Sequence, residues 1–250
     1  MKYILILVFI FYTLHAQNEE KQKVTMGAGI YVQTQPYKDV DEIILPTPVI
    51  FFDNGLFYVR WSRAGVYFLG NKQDDYAWGF SLTTQPRTYK YKASDSPFLL
   101  GLDEKKSTWE GGLAFSASMD KAYIEIMALT DMLDRYESWI VKTEVGYNFE
   151  FKDISFYPSI IVVYQSSEFL DYYYGISNQE AKTSLYDRYN TNNDFQLGIQ
   201  TYIKYPLTNN FSTLINLRVD RLSNEAINSP IVHDDYIFSG MASLIYNFEY

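Results

Sequence analysis

From Ser138 to Phe151 the chain reads SWIVKTEVGYNFEF, and its polarity changes at every second residue. One set is Trp139, Val141, Thr143, Val145, Tyr147, Phe149 and Phe151. The other is Ile140, Lys142, Glu144, Gly146, Asn148 and Glu150. Successive side chains of a strand point to opposite faces, so this segment has one apolar face and one charged face. It is too long for an ordinary strand of about 5–6 residues, yet suits a tilted membrane strand of ~9–11 with interfacial ends.

The period recurs along the chain. Phe195, Leu197, Ile199, Thr201, Ile203 and Tyr205 oppose Gln196, Gly198, Gln200, Tyr202 and Lys204. Phe211, Thr213, Ile215, Leu217 and Val219 oppose Ser212, Leu214, Asn216, Arg218 and Asp220. Trp109, Leu113, Phe115 and Met119 oppose Glu110, Gly112, Ala114, Ser116 and Ser118. Aromatics gather at the ends of the apolar faces. Lipid selects an apolar band between aromatic girdles, and a wet lumen tolerates charge.

Twelve such segments are predicted: 24–34, 45–53, 55–62, 64–70, 76–84, 109–119, 122–131, 138–151, 154–165, 194–206, 211–222 and 236–250. The third and fourth carry the weakest pattern, because LFYVRWSRAGVYFLG also reads as one bent strand. An even count lets a closed barrel return both termini to one side. Short turns rich in Asn, Asp and Gly alternate with longer links at 35–44, 85–108, 166–193 and 223–235. The fold expected is all-β: an antiparallel transmembrane β-barrel with short periplasmic turns and longer extracellular loops. A secreted β-sandwich also alternates, but strand length, aromatic strand ends and the loop asymmetry favour the barrel.

The N-terminus supports export. Lys2 precedes an apolar run from Tyr3 to Leu14, then Leu-His-Ala before Gln17. That is the layout of a secretory signal peptide, with cleavage expected after Ala16 and the barrel domain occupying 17–250. The run is short of the ~20 residues of a spanning helix. Loss of Lys2 takes the formal charge from −9 to −10. With no cysteine, stability in an oxidising compartment cannot rest on disulfides. The acidic balance and the lack of a basic cluster argue against nucleic-acid binding.

Three segments carry a family resemblance. They are GAGIYVQTQPYKDVDEIILPTPVIFF (27–52), with its Leu45-Pro46-Thr47-Pro48, YYYGIS (172–177) and NSPIVHDD (228–235). In order and spacing they resemble the MipA/OmpV family of MltA-interacting outer-membrane proteins. The resemblance implies an outer-membrane barrel in contact with outer-membrane lipid. It also implies a scaffold role beside a periplasmic lytic transglycosylase or the murein-synthesis machinery. It supplies no catalytic residues and no cofactor.

Candidate sites follow from the alternation. Arg60, Glu110, Glu125, Lys142, Glu144, Glu150, Lys204, Arg218 and Asp220 are expected to line the lumen. They can select solutes, as charges lining a pore do, or pair across the lumen and plug it. Small barrels fill with side chains and open porins need about 16–18 strands, so twelve favour a narrow or partly filled lumen. The tyrosine-rich loop 166–193 reads as a gate or, with more weight, as a lid folded over the mouth.

His233, beside Asp234 and Asp235 with Ser223 and Ser229 near in sequence, raises a Ser/His/Asp hydrolase. Sequence adjacency supplies none of the geometry that a triad needs, and an exposed loop histidine is the plainer reading. One histidine and two consecutive aspartates, with no cysteine, also lack a metal-ligand spacing. Tyr246, Phe248 and Tyr250 close the sequence on one face and resemble the C-terminal signal read by the barrel-assembly machinery. Three functions are carried forward: a scaffold, a narrow passive pore for small solutes, and a hydrolase using His233.

Overall fold

Alternating segments of this length satisfy their backbones only by pairing with neighbours, and in lipid the last edge must meet the first. A computed structural model describes residues 23–249. The expected leader and Tyr250 lie outside the described residues. The strands are β1 (Lys23–Gln33), β2 (Ile43–Asp53), β3 (Phe57–Arg60), β4 (Arg63–Lys72), β5 (Tyr76–Arg87), β6 (Thr108–Met119) and β7 (Ala122–Asp131). They continue as β8 (Trp139–Tyr147), β9 (Phe149–Phe151), β10 (Ile154–Gln165), β11 (Asp194–Pro206), β12 (Phe211–Arg221) and β13 (Tyr236–Glu249). β8 and β9 both pair with β10 and form one stave interrupted at Asn148. Twelve staves therefore run up and down in sequence order, each antiparallel to the next. The seam is β1 against β13, from Lys23↔Glu249 to Gln33↔Ser239.

The pleat sorts the side chains as the alternation predicts. Trp109, Leu113, Val145, Ile199, Leu217 and Phe238 are exposed on the outer wall, while Glu110, Glu125, Gln196, Asn216 and Asp220 are buried inside. Outward aromatics mark both ends of the apolar band: Trp109, Trp139, Phe195 and Tyr236 toward the long loops, Phe57, Tyr147, Phe211 and Phe248 toward the turns. This is the outer surface of a membrane barrel.

Two departures from the sequence reading concern strand ends. β5 runs on to Arg87, through Pro86, where a loop was expected from residue 85. β2 begins at Ile43, two residues before its expected start. The ambiguous stretch is two strands, turned at Trp61, whose φ of 56° is left-handed.

The long loops do not splay into solvent. They build a cap over the mouth, with helices α1 (Ser167–Tyr174), α2 (Glu180–Thr183) and α3 (Asn224–Ile227). Ser166 accepts the Phe169 N–H at 3.3 Å as the N-cap of α1. Phe169, Leu170, Tyr173 and Tyr174 of α1 join Tyr37, Tyr91, Leu99, Tyr136 and Ile231 in the main apolar cluster. A smaller cluster of Val49, Leu214, Met241 and Ile245, with Tyr31, Trp61 and Tyr202, sits against β2, β12 and β13. The tyrosine-rich loop is thus a folded lid over the mouth.

Candidate functional site

The charged inward positions meet in separate pairs. Arg60, at the end of β3, donates from Nη1 to Glu125 Oε1 at 3.1 Å and from Nη2 to Asp53 Oδ2 at 3.2 Å. Its Nη2 also reaches the Tyr67 hydroxyl at 2.6 Å. Arg63, one turn on, grips the same Glu125 with both Nη atoms, so one carboxylate bridges two guanidiniums. Lys142 Nζ lies 3.3 Å from Glu144 Oε2. The other oxygen of Glu144 accepts from Tyr123 at 2.9 Å, Ser159 at 3.0 Å and Gln200 at 2.7 Å. Arg218 forks onto Asp220 at 2.6 and 2.7 Å, and Gln196 donates to Asp220 at 3.1 Å.

Glu110 is the most deeply buried of these carboxylates. It is fully buried and is held by the Arg87 guanidinium, by Gln85 Nε2 at 2.9 Å and by the Tyr136 hydroxyl at 3.0 Å. Of the two remaining positions, Glu150 stands exposed at the periplasmic rim, 3.4 Å from Lys121. Lys204 is half-buried on β11, opposite Ser155 of β10 and Leu214 of β12. Every carboxylate of the inner wall named above thus already faces a cation or several donors. A low-dielectric interior strengthens such pairs and makes each unpaired charge costly.

Sequence reasoning missed Arg63, Gln85, Arg87 and Tyr136, which fell in assumed links. Arg87 and Gln85 become readable once the 76–84 alternation is carried two and four residues past Thr83, because Thr83, Gln85 and Arg87 share the inner face.

Above the pairs, hydrogen bonds join the loops of the cap. Tyr37 donates to the Tyr173 carbonyl at 3.1 Å, Ser229 to the Tyr174 carbonyl at 2.6 Å and Tyr189 to the Glu225 carbonyl at 2.7 Å. Burial pushes the phenols of Tyr37 and Tyr174 well up, so both stay neutral, and Tyr37 keeps the proton it donates. Ser223 caps α3 by accepting the Ala226 N–H at 3.3 Å. Both serines near His233 are therefore engaged with backbone, and His233 itself is exposed. That geometry assembles no triad. Among the described residues no group of three or more His, Cys, Asp or Glu is placed to hold a metal ion.

Glu180 fastens two loops of the cap together. It accepts from Lys105 Nζ at 3.2 Å, from the Asp103 N–H at 3.1 Å and from the Ser177 N–H at 2.8 Å. Burial alone would raise its pKa, but the Ser177 and Asp103 N–H groups and the Lys105 charge together hold it below the usual carboxylate value. A depressed carboxylate stabilises the fold above its unfolded pKa of about 4.3, and that contribution is lost as pH falls through the folded value. Loops 88–107 and 166–193 are expected to gain protease sensitivity below about pH 4. In Glu180→Gln, which cannot ionise, cleavage of these loops should depend far less on pH. Equal acid sensitivity in both proteins would remove Glu180 from this role.

A closed up-and-down barrel with an apolar band, aromatic girdles and a charged lumen is an integral outer-membrane protein. The MltA-interacting protein MipA family model matches residues 26–248, and the chain belongs to that family. It is 30% identical over 223 residues to the MltA-interacting protein of Escherichia coli (strain K12), covering 88% of each chain. It is 26% identical over 223 residues to outer membrane protein OmpV of Vibrio cholerae, covering 88% of this chain and 84% of that one. Over 184 residues it is 27% identical to outer membrane protein Omp26La of Vibrio anguillarum, covering 72% and 69%.

Proposed function

We propose that this protein is a closed scaffold of the outer membrane that docks a periplasmic murein enzyme, of the lytic transglycosylase or murein-synthase kind. The observation that carries the reading is the pairing of the inner-wall charges beneath a folded aromatic cap. That arrangement leaves little room for a solute path. The printed name of the Escherichia coli relative, MltA-interacting protein, supports the choice of partner. The surface offered to the periplasm is the rim of short turns, where Asp53, Asp74, Asp75, Asp120 and Asp153 are all exposed.

Two measurements test the proposal. The folded protein, immobilised through its extracellular loops, should retain a purified periplasmic lytic transglycosylase. Retention should fall when the rim aspartates are replaced by asparagine. In planar bilayers the same preparation should show no stepwise conductance. Steady conductance, altered in selectivity by neutralising Arg218 and Glu144, would replace the scaffold with a pore. Absence of retention would also defeat it.

A further inference from the structure

The Leu45-Pro46-Thr47-Pro48 segment is not used by the scaffold reading. The register explains it through a gap in the barrel wall. β3 is only four residues long and pairs with β2 solely at Phe51, Phe52 and Asp53. One further bond, Trp61 N–H to the Ile50 carbonyl at 2.8 Å, closes the tip of the β3–β4 hairpin. From Ile43 to Val49, β2 therefore pairs with β1 only. Across the gap β4 meets β5 no higher than Ala64↔Thr84, so Gln85–Arg87 pair only with β6.

Both open edges run from the girdle level of Trp109 toward the apolar band, where unpaired N–H groups are costly. The Ile50 carbonyl faces β3, so the backbones of residues 44, 46 and 48 face the gap as well. Two of those three are proline and have no N–H to strand. On the opposite edge, Met132 N–H donates to the Trp109 carbonyl, which therefore faces β7. Its cross-strand partner Pro86 then points into the gap. Three prolines thus strip donors from the two edges, as expected for an opening kept in the wall rather than a strand left to pair.

The opening is framed. Trp61 is its sill, donating from Nε1 to Thr47 Oγ1 at 3.0 Å and lying edge-on to Tyr31 at 5.5 Å. Above it, Thr88 of the β5–β6 loop donates to Gln33 at 2.9 Å, and Tyr91 packs on Tyr37 at 4.6 Å. Leu45 records the opening directly. It shares the inner face of β2 with Val49, yet is 41% exposed while Val49 is fully buried.

We infer that this gap is a lateral slot for one acyl chain of a membrane lipid, which enters from the bilayer and lies against Leu45 and Trp61. The occupant follows from the chemistry. The slot opens between exposed Ile44 on one side and Leu82 on the other, inside the apolar band. Its proline-lined edges keep carbonyl acceptors but few donors, so a solute that must accept hydrogen bonds finds little there, while an acyl chain needs none. The inference does not depend on any protein partner.

The test uses fluorescence of Trp61 in the full chain, with Trp78, Trp109 and Trp139 changed to phenylalanine. The protein is refolded into phosphatidylcholine vesicles brominated on the upper part of the acyl chains. Trp61 emission should be roughly halved, close to the loss of a variant keeping only the lipid-facing Trp109. A variant whose one tryptophan is Tyr123→Trp, on the inner wall of β7 and outside the Trp61 cluster, should keep its emission. If the triple variant does not fold, the difference in quenching between wild type and Trp61→Phe gives the same readout. No quenching of Trp61, equal quenching at position 123, or quenching by aqueous iodide instead would each overturn the slot.

Discussion

Glu110→Ala is expected to lower the unfolding free energy of the barrel by about 3–5 kcal/mol, the cost of breaking a buried ion pair from one side. Glu110 is fully buried, and the Arg87 side chain beside it is 13% exposed. Without the carboxylate, the guanidinium stays in a low-dielectric wall that gives it no easy way back to water. Gln85 and Tyr136 lose their acceptor at the same time. The loss should therefore exceed that of an exposed pair such as Lys121–Glu150, for which about 0–1 kcal/mol is expected. Denaturant unfolding in micelles gives the midpoint shift. The double variant Glu110→Ala, Arg87→Ala should lose less than the sum of the two single losses, because it strands no charge. A single-variant loss under about 1 kcal/mol would show that Arg87 has another outlet.

The sequence exposed the parts of this fold that depend on local alternation. Seven outward positions, every second residue from Trp139 to Phe151, define a stave whatever its neighbours are, because lipid on one side and a polar interior on the other select each residue separately. Length worked against β3, where four residues cannot establish a period. Pro86 hid the end of β5 for a different reason. A proline is tolerated there only because its nitrogen faces an unpaired edge, and that depends on where a neighbouring hairpin stops.

The ion pairs show the same division. The inward direction of Glu125 follows from period two, but its partners Arg60 and Arg63 lie 65 and 62 residues away and are brought in by register. The cap depends on still longer contacts. Tyr37 and Tyr173, 136 residues apart, meet through loop packing that no periodicity records. Tyrosine content suggested a lid, but not which aromatic lies at its centre.

That centre is Phe169, and Phe169→Ala is expected to loosen the cap without opening the hydrogen-bonded ladders of the staves. Its ring is fully buried, edge-on to Tyr136 at 5.0 Å and in contact with Tyr173 at 5.1 Å. The Arg87 guanidinium lies 4.9 Å from its centroid. Removing a buried phenyl ring costs about 3–5 kcal/mol, and the cavity falls among loops rather than in the hydrogen-bonded wall. Backbone amides of 167–174 should then exchange about a hundredfold faster or more, as local opening is made easier by that amount. Amides of β6, β7 and β12 should keep their protection, because their ladders close independently of the cap. Conductance separates the two barriers of the molecule. The variant should remain silent in bilayers, since Arg60–Glu125, Lys142–Glu144 and Arg218–Asp220 still occupy the lumen beneath. A conducting Phe169→Ala barrel would place the only effective closure in the cap and make the ion pairs the lining of a channel.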